Sequence, residues 1–152
     1  MEELPQMFMQ SCKGQPVDTW LVRKWSLVTE LINTESYPLY CLANSLSVSL
    51  KSSVAINAYY TPANALGFDW HEDPHDVFIW QLQGNKTWRV VTPGERPQDR
   101  EPLIETVLLP GHLLYIPQGF PHVAKTCADE TSHHLSIGFL SREEQVRRVV
   151  LE

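Results

Sequence analysis

Residues 67–91 read GFDWHEDPHDVFIWQLQGNKTWRVV, and their two halves obey different rules. From Asp76 the run DVFIWQLQ is rich in strand formers, and KTWRVV follows after Gly84-Asn85. A Gly-Asn pair between two such runs is a hairpin signal. The first half crowds His71, Glu72, Asp73 and His75 at the mouth of that hairpin. Working outward, SVAINAYY (53–60) reads as a strand that stops at Thr61-Pro62. VTPGERPQDREP is a polar loop, and IETVLL meets HLLYI through the turn pair Pro110-Gly111. HVAKT and HHLSIGFL close the series. With a strand around His71, the count reaches about eight, the number of a double-sheet jelly roll. The fold expected is mainly β, with the barrel over residues 53–140.

The flanks read differently. Residues 18–52 are expected to be helical: Asp18 is an N-cap, and Trp20, Lys24, Leu27, Val28 and Leu31 recur at helical steps. NTESY (33–37) is a turn, and Pro38 then opens a second helix through PLYCLANSLSVSL. The run SREEQVRRVVLE (141–152) has a Ser cap with Glu at the third position after it, and predicts a short C-terminal helix. The 152 residues fit one domain. A hydrophobic content of 43% with 20% charged residues is that of a globular protein, and no apolar run has membrane-spanning length. The net charge of −6 argues against direct nucleic-acid binding. MEELPQMFMQ lacks the order of a secretion signal, and three scattered cysteines suggest reduced thiols. Both point to the cytoplasm. A terminal helix in need of a surface to pack on allows a homodimer.

Alternate residues of a strand share a face, so His71 and Asp73 should project together. They supply one neutral nitrogen and one anionic oxygen. A third ligand must come from elsewhere, and His122, after PQGFP at a strand entry about fifty residues on, is suited to it. Two histidines and a carboxylate on one side of an ion leave other positions open, as in non-haem Fe(II) oxygenases. A lone histidine at a strand end is more often a surface or hydrogen-bonded residue, and only the combination is specific. His75 would close a position needed for oxygen if it were a fourth ligand, so a supporting or substrate-facing place suits it better. His133 and His134 adjoin in a strand, so one faces inward. If it is His134, it supports the site.

INAYYTPANALGFDWHEDPHDVFIWQLQGNKTWRV and LPGHLLYIPQGFPH, in that order, resemble the JmjC-type cupin oxygenases, closest to the ribosomal oxygenase group. The resemblance covers roughly residues 54–139. It implies a double-stranded β-helix, Fe(II), 2-oxoglutarate as co-substrate, and hydroxylation of a protein or peptide side chain with succinate and carbon dioxide as co-products. By motif it makes His71, Asp73 and His122 the iron ligands. It pairs Lys86 with the distal carboxylate of 2-oxoglutarate and places Asn57, Tyr59 and Ser136 in the co-substrate pocket. Trp70, next to the first ligand, is expected to narrow the substrate mouth. The family's ribosomal members are longer, which leaves a peptide or small molecule open as substrate. A cupin enzyme using another metal and a non-catalytic ligand-binding cupin are the alternatives. A buried Lys86 separates the first from the leading reading, because it needs no cation opposite the metal, and the second predicts that Asp73→Ala leaves function intact.

Overall fold

The computed structural model describes residues 27–94, 96–127 and 129–140. Among these residues, eight strands form two antiparallel sheets. They are β1 (Leu27–Thr29), β2 (Ser53–Thr61), β3 (Asp76–Gln83), β4 (Lys86–Val90), β5 (Ile104–Leu108), β6 (Leu113–Ile116), β7 (His122–Thr126) and β8 (Ser132–Leu140). The larger sheet has the order β1-β2-β8-β3-β6, and the smaller has the order β5-β4-β7. Their facing sides close over Val77, Ile79, Leu114 and Ile116 from one sheet and Trp88, Val90, Leu108 and Ala124 from the other. This is the expected double-stranded β-helix.

Among the described residues the one α-helix, α1 (Tyr37–Leu50), has Pro38 in its first turn, where a missing N–H costs nothing. It covers the outer side of the larger sheet, where Ala43, Leu39, Leu42 and Leu46 meet Ile56, Ala58, Leu135 and Ile137. β3 therefore has one apolar face toward the helix and one toward the barrel, which explains its unbroken apolar run Val77–Trp80.

The helix expected over the first part of residues 18–52 is corrected by the structure. Leu27, Val28 and Thr29 pair with Tyr60, Tyr59 and Ala58 as an edge strand. Leu27 and Thr29 are buried while Val28 between them is half-buried, a period of two. The same apolar residues fit a helical and an alternating pattern, and the open edge of β2 selects the second. Leu31 then turns the chain at φ 52°, and a 3₁₀ turn (Ile32–Thr34) leads into α1. Asp18, Trp20, Lys24 and the expected C-terminal helix lie outside the described residues.

The strand expected around His71 is a second correction. It exists only as two bridges to β7, Leu66 to Lys125 and His71 to His122. Gly67 N–H donates to Ala124 O at 2.9 Å, and the next contact toward the site is His71 with His122. Four steps on one side therefore match two on the other, so Phe68, Asp69 and Trp70 bulge out. Bulges of this kind re-aim side chains at barrel rims.

Gly84 makes the β3–β4 turn at φ 64°, and a Cβ there would run into the Thr131 carbonyl. Gly111 also has positive φ but faces open space. Gly84→Ala should lower stability by about 2 kcal/mol or more, and Gly111→Ala by about 1 kcal/mol. Thermal melts of the two variants check the order, and equal losses would contradict the close approach at Gly84.

Candidate metal centre and co-substrate cavity

His71 and His122 face each other across the bridge, each donating its N–H to the other's carbonyl, at 3.3 and 2.9 Å. Directly opposed residues of an antiparallel pair put their side chains on one face. The two imidazoles meet with ring centroids 4.3 Å apart. Asp73 lies two residues further on, where Pro74 biases its backbone toward an extended conformation. Gly119 N–H donates to the Asp73 carbonyl at 2.9 Å and ties this segment to the loop before His122. Asp73 Oδ2 is 3.8 Å from His122 Nε2. One ligand atom from each of His71, Asp73 and His122 lies within 4.8 Å of the others.

The tautomers suit a metal. His71 Nδ1 contacts Asp69 O at 2.7 Å, and His122 Nδ1 contacts Phe120 O at 2.9 Å. A carbonyl oxygen only accepts, so each Nδ1 carries the proton, and Nε2 of the neutral ring holds the lone pair. Burial pushes the His122 pKa down, and neighbouring His71 adds to this, against the Phe120 carbonyl and Asp73, which act the other way. The three groups therefore offer two neutral nitrogens and an anionic oxygen, a donor set that fits a divalent ion.

They sit at one end of a cavity whose wall also includes Tyr59, Gly67, Phe68, Lys86, His134 and Ser136. Lys86, at the start of β4, is 2% exposed. Its Nζ donates to Thr61 Oγ1 at 2.9 Å. No carboxylate among the described residues pairs with it, and burial lowers its pKa to about 7. The cavity is thus bipolar, with ligands for a cation at one end and a desolvated cation at the other. Tyr59 joins the two ends. Its ring stacks on His134 at 4.8 Å, and its pKa is raised by burial and by the charge of Asp73.

The other sequence expectations separate. Ser136 and His134 line the cavity, as Lys86 and Tyr59 do. Asn57 is not among the lining residues. Its Oδ1 accepts from Leu31 N–H at 2.9 Å, and its side chain hydrogen-bonds the Tyr59 hydroxyl, so it props Tyr59 from behind. His75 neither supports the triad nor faces the cavity. Its ring packs on the backbone of β8 at Gly138, where a Cβ would overlap it. Trp70 does not narrow the mouth, because the bulge carries it out of the cavity wall. It lies on the outer side of the smaller sheet, with the Arg89 guanidinium 5.7 Å from its ring. Sequence reasoning missed Gly67, Phe68 and Thr61. Thr61 shares parity with Tyr59, and Gly67 shares it with His71, which was the available signal.

The JmjC domain family profile matches residues 33–146. The chain is 31% identical over 138 residues, 82% of its length, to the bifunctional lysine-specific demethylase and histidyl-hydroxylase NO66 of Drosophila pseudoobscura pseudoobscura, of which it spans 15%. It is 36% identical over 105 residues, 60% of its length, to human ribosomal oxygenase 1, of which it spans 16%. The structure of Escherichia coli ribosomal oxygenase YcfD matches with a TM-score of 0.62 at 26% identity, over 80% of this chain and 34% of that one. A second YcfD structure, in complex with cobalt and 2-oxoglutarate, matches with a TM-score of 0.60 at 26% identity, over the same shares. The chain therefore spans well under half the length of these relatives. No helix among the described residues is long and apolar enough to cross a membrane.

Lys86 generates a pH prediction. Its folded pKa lies below that of a free lysine, so between about pH 7 and 10.5 the unfolded chain holds the extra proton. Stability of the ligand-free protein should therefore rise with pH through that window, by an amount of order 5 kcal/mol in full. Lys86→Met should remove the rise and be the more stable form at pH 7. Urea unfolding of both proteins at pH 7 and pH 10 checks this, and a flat wild-type profile would contradict it.

Proposed function

Because the chain belongs to the JmjC-domain family, we propose that it is an Fe(II)- and 2-oxoglutarate-dependent oxygenase that hydroxylates a protein or peptide side chain, releasing succinate and carbon dioxide. The observation that carries this reading is the bipolar cavity: a His71, Asp73 and His122 set facing a buried, unneutralised Lys86. A dicarboxylate that chelates a metal by one end and needs a cation at the other fits such a cavity. A hydrolytic or isomerising metal centre has no use for Lys86. The neighbour bound to cobalt and 2-oxoglutarate, and the same protein bound to cobalt and succinic acid, support the co-substrate. The relatives' names, lysine-specific demethylase and histidyl-hydroxylase, support a protein side chain as substrate. The free thiols Cys41 and Cys127 suit the cytoplasm, where we place the protein.

In this mechanism His71, Asp73 and His122 hold Fe(II) through two Nε2 atoms and a carboxylate oxygen. Bound iron with its co-substrate supplies the oxidant that replaces a C–H hydrogen with hydroxyl. Lys86 binds the distal carboxylate by a charge-assisted hydrogen bond and so regains the solvation it lost on folding. Ser136 and Tyr59 bound the co-substrate laterally, and Asn57 holds the Tyr59 hydroxyl in place. Thr61 Oγ1 accepts from Lys86 and aims its ammonium. The Phe120 and Asp69 carbonyls keep both histidines in the metal-binding tautomer. Half-exposed Phe68, edge-on to Tyr59 and His71, stands at the open side where a substrate side chain enters.

Anaerobic titration with Fe(II) and 2-oxoglutarate should produce the visible charge-transfer band of the chelate. Asp73→Ala should abolish both the band and succinate formation, and Lys86→Ala should weaken 2-oxoglutarate binding at least tenfold. A folded wild-type protein that gives no band would overturn the proposal.

A further inference from the structure

The closed end of the cavity holds more hydrogen-bonding capacity than the chain uses. Among the described residues, Trp88 Nε1 and His134 Nδ1 are buried without a hydrogen-bond partner. Both residues line the cavity alongside Lys86. Lys86 Nζ lies 5.8 Å from the Trp88 ring centroid, and the Trp88 and His134 rings meet edge-on at 5.4 Å. Gly67 leaves space beside the ammonium, since a Cβ there would stand 3.1 Å from Nζ.

These groups share a chemical sense. An indole N–H and an ammonium only donate, and a neutral imidazole has one N–H to give. Burial, with the Lys86 charge next, keeps His134 neutral. Unpaired buried donors are costly, and two of them beside the Lys86 ammonium, which has donors to spare beyond its bond to Thr61, suit an occupant that accepts. A carboxylate offers about four acceptor positions and a charge opposite to that of Lys86. The His134 ring is already oriented, by its stack on Tyr59 and by pairing of its strand with both β2 and β3.

We propose that Trp88 and His134 join Lys86 as a three-donor cradle for the distal carboxylate of the co-substrate. The inference rests on the 2-oxoglutarate reading above and adds two binding residues to it. Trp88 is also a core residue, so loss of binding alone would not separate contact from packing.

The test compares two keto acids on the Mn(II)-loaded protein without oxygen, by calorimetry. 2-Oxoglutarate carries the distal carboxylate, and 2-oxobutanoate keeps the chelating end but lacks it. Trp88→Phe, which removes the N–H and keeps a ring, and His134→Leu should each weaken 2-oxoglutarate about tenfold. Each should change 2-oxobutanoate less than twofold. His134→Asn, which retains a short side-chain donor, should recover most of the 2-oxoglutarate affinity. Equal weakening for both acids, or no change for either, would overturn the cradle while wild-type preference for 2-oxoglutarate leaves the underlying reading standing. A wild-type protein that binds both acids alike, or neither, overturns both.

Discussion

Everything at the site depends on the antiparallel bridge between His71 and His122. Two main-chain hydrogen bonds fix these residues opposite each other, and strand geometry then sets both imidazoles on one face. The bridge stands apart from any regular strand on the His71 side. It is held instead by contacts on both flanks: Gly67 on Ala124 before it, and Gly119 on the Asp73 carbonyl after it. The bulge between Gly67 and His71 lets a segment that enters in register with β7 turn its last residues toward the ion site.

The cavity behind the bridge is costly to build. Lys86, Thr61, Ser132 and His134 are all buried in a barrel otherwise closed mainly by valine, isoleucine, leucine and tryptophan. Gln81 satisfies Ser132 and the β3–β4 turn with its amide nitrogen, so the polar layer at that end is partly self-contained. Lys86 is different, because burial opposes its charge and no carboxylate among the described residues offsets this. Packing alone would be better served by a methionine there. A lysine at such a position suits an anionic occupant.

Much of this was legible in the chain. Seven of the eight described strands were readable, because β-branched and aromatic runs are punctuated by Gly84-Asn85, Pro110-Gly111 and the proline-rich loop before β5. The triad was legible through parity and the position of His122 at a strand entry. The misreadings share a cause, which is partner dependence. Leu27–Thr29 fits a helix until the edge of β2 is available to it. The segment around His71 reads as a strand until two extra residues are accommodated opposite β7. Trp70 and His75 are near the ligands in sequence, yet the bulge sends the first outside the barrel and the second packs onto Gly138. Thr61 and Gly67 carry no chemical signature of their own, and only the position of Lys86 gives them meaning.

The central claim is that His71, Asp73 and His122 close on one ion through Nε2, carboxylate and Nε2, with the rest of its coordination sphere facing Lys86. Anomalous diffraction from crystals grown with Co(II) and 2-oxoglutarate tests it most directly. The account predicts one strong peak at about 2.0–2.2 Å from those three atoms, with the keto acid between the ion and the Lys86 ammonium. A peak elsewhere, ligation through Nδ1, or a keto acid with its distal carboxylate turned away from Lys86 would contradict it.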